Sequence, residues 1–171
     1  MANYLVIMGQ AVTVPNLTGN ILLTGRGNVE DSIQSCSAVI FFNATSKAAG
    51  LYHYPAKALS KRPGSRTLLE AIRDEVVPTE AYIAYGVLGF MNLSEENILP
   101  TDTEHEDLRS FVLRLLPEKA RLRRLPARSR FASIRVSGGE ADVGDSAPLS
   151  YTDLRDQAAG TYTFGKIFWD E

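Results

Sequence analysis

Two runs decide the fold: Ser37–Asn43 (SAVIFFN) and Gly50–Tyr54 (GLYHY), parted by the polar stretch Ala44–Lys47 (ATSK). Both are rich in β-branched and aromatic side chains, and together they read as a hairpin of buried strands. Pro55 ends the second, because proline cannot donate to a central ladder. Upstream, Tyr4–Met8, Ala11–Val14 and Ile21–Thr24 are shorter β-prone runs, punctuated by Gly9, Pro15-Asn16 and the Gly25–Asn28 turn signal. Downstream, Thr67 and Glu70 form a capping-box pattern, with Leu68, Leu69, Ile72 and Val76 at helical spacing until Pro78. Ala81–Val87 then reads as a strand. A second helix is expected from Thr103, paired with Glu106, and its stripe of Leu108, Phe111, Val112 and Leu115 closes at Pro117. Phe131–Val136 and Thr161–Trp169 supply two last strands. The strands come in runs rather than alternating with helices. This order predicts one α+β domain over residues 1–171, with a mostly antiparallel, sandwich-like sheet flanked by two main helices.

Composition narrows the function classes. The chain has 171 residues, 44% of them hydrophobic and 22% charged, which fits a globular core and excludes a disordered or fibrous chain. Eighteen basic against twenty acidic residues give a net charge of -2, so the surface as a whole is not built to neutralise phosphates. The longest apolar stretches, Val39–Phe42 and Ile83–Met91, fall far short of the roughly 20 residues of a membrane helix, and no membrane insertion is expected. The first residues lack the basic flank of a secretory signal. A soluble cytoplasmic chain is predicted, with delivery by a signal-less secretion route left open. Cys36 is the only cysteine, so no intrachain disulfide can form, and neither histidine, His53 or His105, sits in a zinc-ligand spacing. No metal or other cofactor is expected.

Cys36 stands at the mouth of the first run and His53 lies in the second. A thiolate is a strong nucleophile, and a nearby imidazole can take the thiol proton and later return one to a leaving group. The same two residues also read as a small buried hydrophobe and a satisfied core histidine. With a turn centred near Ser46, paired residues sum to about 92, which sets Cys36 opposite Ala56. His53 then lies three residues away, about 10 Å along the strand. A bulge or bend is required to join them.

Ser35-Cys36, Ala38-Val39, Ala49-Gly50 and His53, seventeen residues after the cysteine, form a pattern that resembles the bacterial chemoreceptor glutamine deamidases, the CheD family. Cytotoxic necrotizing factor toxins share that catalytic scaffold and deamidate a glutamine of Rho GTPases. The resemblance covers about Val29–Pro55. It differs at Gln34, where the family has glycine, and at Glu30, where many members have a threonine that orients the histidine. A carboxylate at Glu30 would orient the imidazole by a charge-assisted bond, and a solvated surface residue is the other reading. The resemblance implies a cofactor-free amidohydrolase acting on a protein partner with a reactive glutamine, in chemotaxis or as a bacterial effector. Cys36 would attack the carboxamide, His53 would protonate departing ammonia, and Ser35 would help hold the oxyanion. Two alternatives stand beside it. One is transglutaminase-like thiol chemistry, in which an amine replaces water; the other is a non-catalytic protein-binding module on the same fold.

Other features read more quietly. Lys119, Arg121, Arg123, Arg124, Arg128 and Arg130 form a basic run, either a docking patch or a solvated loop and strand edge. No aromatic residue interleaves it, which argues against nucleic acid as a partner. His105, among Glu104, Glu106 and Asp107, reads as an exposed histidine in an acidic helical turn. Gly138–Ser150 reads as a mobile loop, and Phe164, Phe168 and Trp169 as the finish of the core. Oligomeric state is not encoded in any pattern here.

Overall fold

The computed structural model describes residues 3–23, 36–85, 103–125, 133–137, 139–144 and 165–171. The first half holds β1 (Asn3–Val6), β2 (Gln10–Val14), β3 (Asn20–Leu23), β4 (Ser37–Phe42) and β5 (Ala49–Tyr54). Two helices follow, α1 (Ala58–Lys61) and α2 (Gly64–Val76), before β6 (Glu80–Ala84). The second half adds α3 (Thr103–Leu115), β7 (Arg121–Arg124), β8 (Ser133–Ser137), β9 (Glu140–Gly144) and β10 (Lys166–Trp169). The strands form a six-stranded sheet, ordered β10-β2-β5-β4-β6-β7, and a four-stranded sheet, ordered β1-β3-β8-β9. All pairs are antiparallel except β1–β3 and β6–β7. The α+β class with two mostly antiparallel sheets matches the sequence expectation.

Every residue of β4 and β5 is buried, because both faces of the larger sheet are covered. On one face Val39, Phe41, Tyr52 and Tyr54 pack against the apolar stripes of α2 and α3. On the other, Ala38, Ile40, Phe42, Ala49 and Leu51 meet Tyr4, Val6, Ile21 and Leu23 of the smaller sheet. Helices, large sheet and small sheet therefore stack as three layers. A continuous apolar run is what a strand covered on both sides requires.

The β4–β5 turn sets the register, and one side chain organises it. Asn43 Oδ1 accepts from the backbone N–H groups of Thr45 (2.9 Å) and Ser46 (3.0 Å). Its Nδ2 donates to the carbonyl of Val77 at 2.7 Å, just past the end of α2. Lys47 takes the left-handed conformation (φ 65°) that lets Asn43 and Ala48 close the loop. The paired residues are Phe42 with Ala49 through Ser37 with Tyr54, so they sum to 91 rather than the expected 92.

Several expectations are corrected. α2 begins at Gly64 after Pro63, with no side-chain cap, so Thr67 sits exposed within the helix and caps nothing. The helix starts early because proline's fixed φ suits a first turn, and because Gly64 lets the chain's end pass close: a Cβ there would meet the Asp170 backbone at 2.5 Å. The basic run, by contrast, matches its reading as a strand edge: Arg121–Arg124 form β7, parallel to β6 at the sheet border, with three exposed arginines; Arg128 and Arg130 lie outside the described residues. Part of the expected loop Gly138–Ser150 is β9, turned back on β8 through Gly139 (φ 83°). His105 is buried, because it lies three residues before Leu108 on the inward stripe of α3. Trp169 is 52% exposed and does not finish the core, since β10 is itself an edge strand; Ile167 is exposed beside it, while Phe168 packs inward. Phe164 lies outside the described residues. No helix among the described residues is long and apolar enough to cross a membrane.

Candidate functional site

The register decides how Cys36 and His53 relate. His53 pairs with Ala38, which pairs on its other side with Ala84, so the imidazole stands in a row with two alanines. Cys36 directly precedes β4, two residues before Ala38. Because side chains alternate with a period of two, that even offset assigns Cys36 and His53 to one face of the sheet. The sum of 92 gave an odd offset and opposite faces. One residue of slip reverses every side chain of a strand, so the hydrogen bonds of Asn43 are what bring the pair to the same side. Diagonal neighbours two residues apart lie about 7–8 Å from each other, within reach of side chains as long as histidine. No bulge is needed.

That face is the one between the two sheets. His53 Nδ1 lies 3.0 Å from the carbonyl oxygen of Val6 in β1. A carbonyl oxygen only accepts, so Nδ1 carries the hydrogen in this contact, and the lone pair of a neutral ring is on Nε2. The four-stranded sheet thus selects the tautomer whose other nitrogen is a base. The site is deep: His53 is 1% exposed and Cys36 6%.

Behind His53 the backbone is held by a polar cluster that sequence reasoning did not find. The His53 carbonyl accepts from Gly9 N–H at 2.9 Å, and the Gly9 carbonyl accepts from Asp170 N–H at 3.1 Å. Asp170 is fully buried and takes a hydrogen bond from Arg62 (2.9 Å) and another from the Tyr52 hydroxyl (2.7 Å). Ser65 Oγ lies 3.1 Å from the same phenol oxygen. Burial first, then the Asp170 carboxylate, push the Tyr52 phenol well above its ordinary range, so it stays a donor. Gly9 itself needs its glycine: at φ 86° it closes the β1–β2 turn against the Arg62–Asp170 pair. The signals were in plain view as Gly9, Arg62 and Asp170, but nothing in their spacing links them.

Of the other site residues read from sequence, Glu30 and Ser35 lie outside the described residues, as does the Gly25–Asn28 turn. His105 is remote from this face. It packs on the Tyr85 ring at 4.7 Å between centroids, on the helix side of the sheet. No protein-family model matches the chain, and no curated protein is significantly similar to it in sequence.

Proposed function

We propose that the protein is a cysteine-dependent glutamine deamidase, in which Cys36 and His53 convert a glutamine side chain of a protein partner to glutamate. The observation that carries this reading is the β4–β5 register, which sets thiol and imidazole on one face with Nδ1 turned to a carbonyl. The likeness of the Cys36-to-His53 spacing to the CheD family supports it from the sequence side. Nε2 would take the Cys36 proton, and the sulfur would add to the carboxamide carbon. The imidazolium would then protonate the leaving nitrogen, releasing ammonia and a thioester. Water, deprotonated by the same Nε2, would hydrolyse the thioester to a carboxylate and restore the thiol. With Nδ1 held by the Val6 carbonyl and Nε2 assigned to the thiol, Val6 rather than Glu30 would orient the ring, and Ser35 at the oxyanion completes the proposal. The new glutamate adds one negative charge to the partner, enough to bias a two-state element.

The depth of the pair favours one second reading, a protein-binding module that keeps the fold without turnover. Alkylation separates the two. Iodoacetamide at neutral pH should label Cys36 rapidly, and His53→Ala should slow labelling at least tenfold while the far-ultraviolet circular dichroism is unchanged. Incubation with candidate partners should give a mass gain of about one dalton per modified glutamine, absent with Cys36→Ser. Slow labelling that is indifferent to His53 would leave the binding module. A larger gain, matching an added amine, would mark transglutamination instead.

A further inference from the structure

A second polar site lies on the opposite face of the six-stranded sheet. It is a cavity of about 300 Å3 between the carboxyl ends of the parallel pair β6 and β7 and the first turn of α3. Its floor is the packed pair Tyr85 and His105, and Arg109 and Arg124 stand around it with Glu106 as the one lining carboxylate among the described residues; Arg123 borders it, but pairs with Tyr82 and shares that residue's opposite face. Both cations line the cavity beside Tyr85. Arg124 lies over the Tyr85 ring at 5.6 Å, and both Arg109 and Arg124 act on the Tyr85 phenol, partly offsetting a burial that pushes it up to about 12. Glu106 faces Arg109 at 3.6 Å, a loose contact between two exposed groups that leaves the guanidinium donors largely uncommitted.

The chemistry of the wall selects the ligand. Two guanidinium groups, Arg109 and Arg124, against one described carboxylate give a local excess of positive charge in a chain whose net charge is -2. Guanidinium forks match oxygens of a tetrahedral dianion two at a time, whereas an amine would find only Glu106, which already faces Arg109. The first turn of α3 adds a weaker bias in the same direction. The volume is at the small end of ligand pockets, enough for a phosphoryl group and the first atoms of what carries it. The rim Arg121, next along the strand, is exposed but takes no part in the cavity.

We propose that this cavity binds a phosphoryl group, presented by a small phosphomonoester or by a phosphorylated side chain of a partner. The site uses neither Cys36 nor His53, so it stands or falls separately from the deamidase reading. The test is titration calorimetry of the full chain with inorganic phosphate, acetate and a phosphoserine peptide at matched ionic strength. Phosphate should bind at one site and more tightly than acetate, and Arg124→Ala and Arg109→Ala should each weaken it roughly tenfold or more. Arg124→Lys should recover part of the loss, because it returns the charge without the fork, and Arg121→Ala should change affinity less than twofold. A peptide that binds more tightly than free phosphate assigns the site to a protein partner; equal or weaker binding assigns it to a small ligand. Phosphate that binds no better than acetate overturns the proposal. So does an Arg121→Ala loss as large as that of Arg124→Ala, which would mean a diffuse basic surface.

Discussion

The two faces of the six-stranded sheet at one end hold opposite kinds of chemistry. Toward the small sheet, the row His53, Ala38, Ala84 is buried, and its one titratable ring leans on the Val6 carbonyl. Toward the helices, the next row places Tyr54 beside Ser37, and Tyr85 follows Ala84 into a cavity ringed with arginine. Adjacent residues of the same strands supply both. A sheet covered on two sides can therefore keep a buried thiol and imidazole and a cationic cavity on opposite faces, with the pleat as the partition. The first is built by register and burial, the second by charges left at an edge.

That contrast can be attacked from its strongest support downward. Asp170→Ala should cost most, about 3 kcal/mol, because it leaves the Tyr52 hydroxyl buried without its acceptor and Arg62 without its partner. Arg62 is one-third exposed and can regain water, which keeps the figure below that of a wholly buried pair. Urea unfolding should show the midpoint falling with an unchanged slope. A loss below 1 kcal/mol would mean that the cluster behind His53 does not hold it.

The cavity face should lose stability in alkali. The Tyr85 phenol is pushed up to about 12, chiefly by burial, so the folded chain keeps its proton at a pH where the unfolded chain has released it. Stability from this group is complete below about pH 10 and declines as pH rises toward 12, by about 2 kcal/mol. Tyr85→Phe should flatten that decline in thermal melts recorded from pH 9 to 11.5. An unchanged slope would show that the ring is already open to hydroxide.

Asn43→Ala is the smallest and the sharpest of the three. The turn loses the two backbone bonds to Oδ1 and the link to Val77, for about 1–2 kcal/mol. Because Asn43 fixes the register, the variant should also slow Cys36 alkylation beyond what its stability loss explains. Wild-type labelling would show that the remaining ladder holds the register alone.

How much was legible follows from the range of the interactions. β4, β5 and the stripes of α2 and α3 were plain, because burial on a covered face writes a local pattern. β9 was not read as a strand, since EADVG lacks the apolar alternation that a half-covered edge would need. Cys36 and His53 were singled out by chemistry and spacing, but the register between their strands differs from the expected one by one residue. A turn centre half a residue away reverses parity, and only the bonds of Asn43 reveal it. Asp170 was illegible for a different reason: its partners Arg62 and Tyr52 lie 108 and 118 residues away. His105 was misjudged because three acidic neighbours masked its place on the inward stripe.

The two borders of the large sheet differ in a way that governs misassembly. At β7 a fence of guanidinium groups repels a second copy of itself, whereas β10, the other border of the sheet among the described residues, carries exposed Ile167 and Trp169. A sheet that is adhesive along one border only cannot grow into a fibril by adding strands at both. Stacking through that border ends with two molecules back to back, each capping the other.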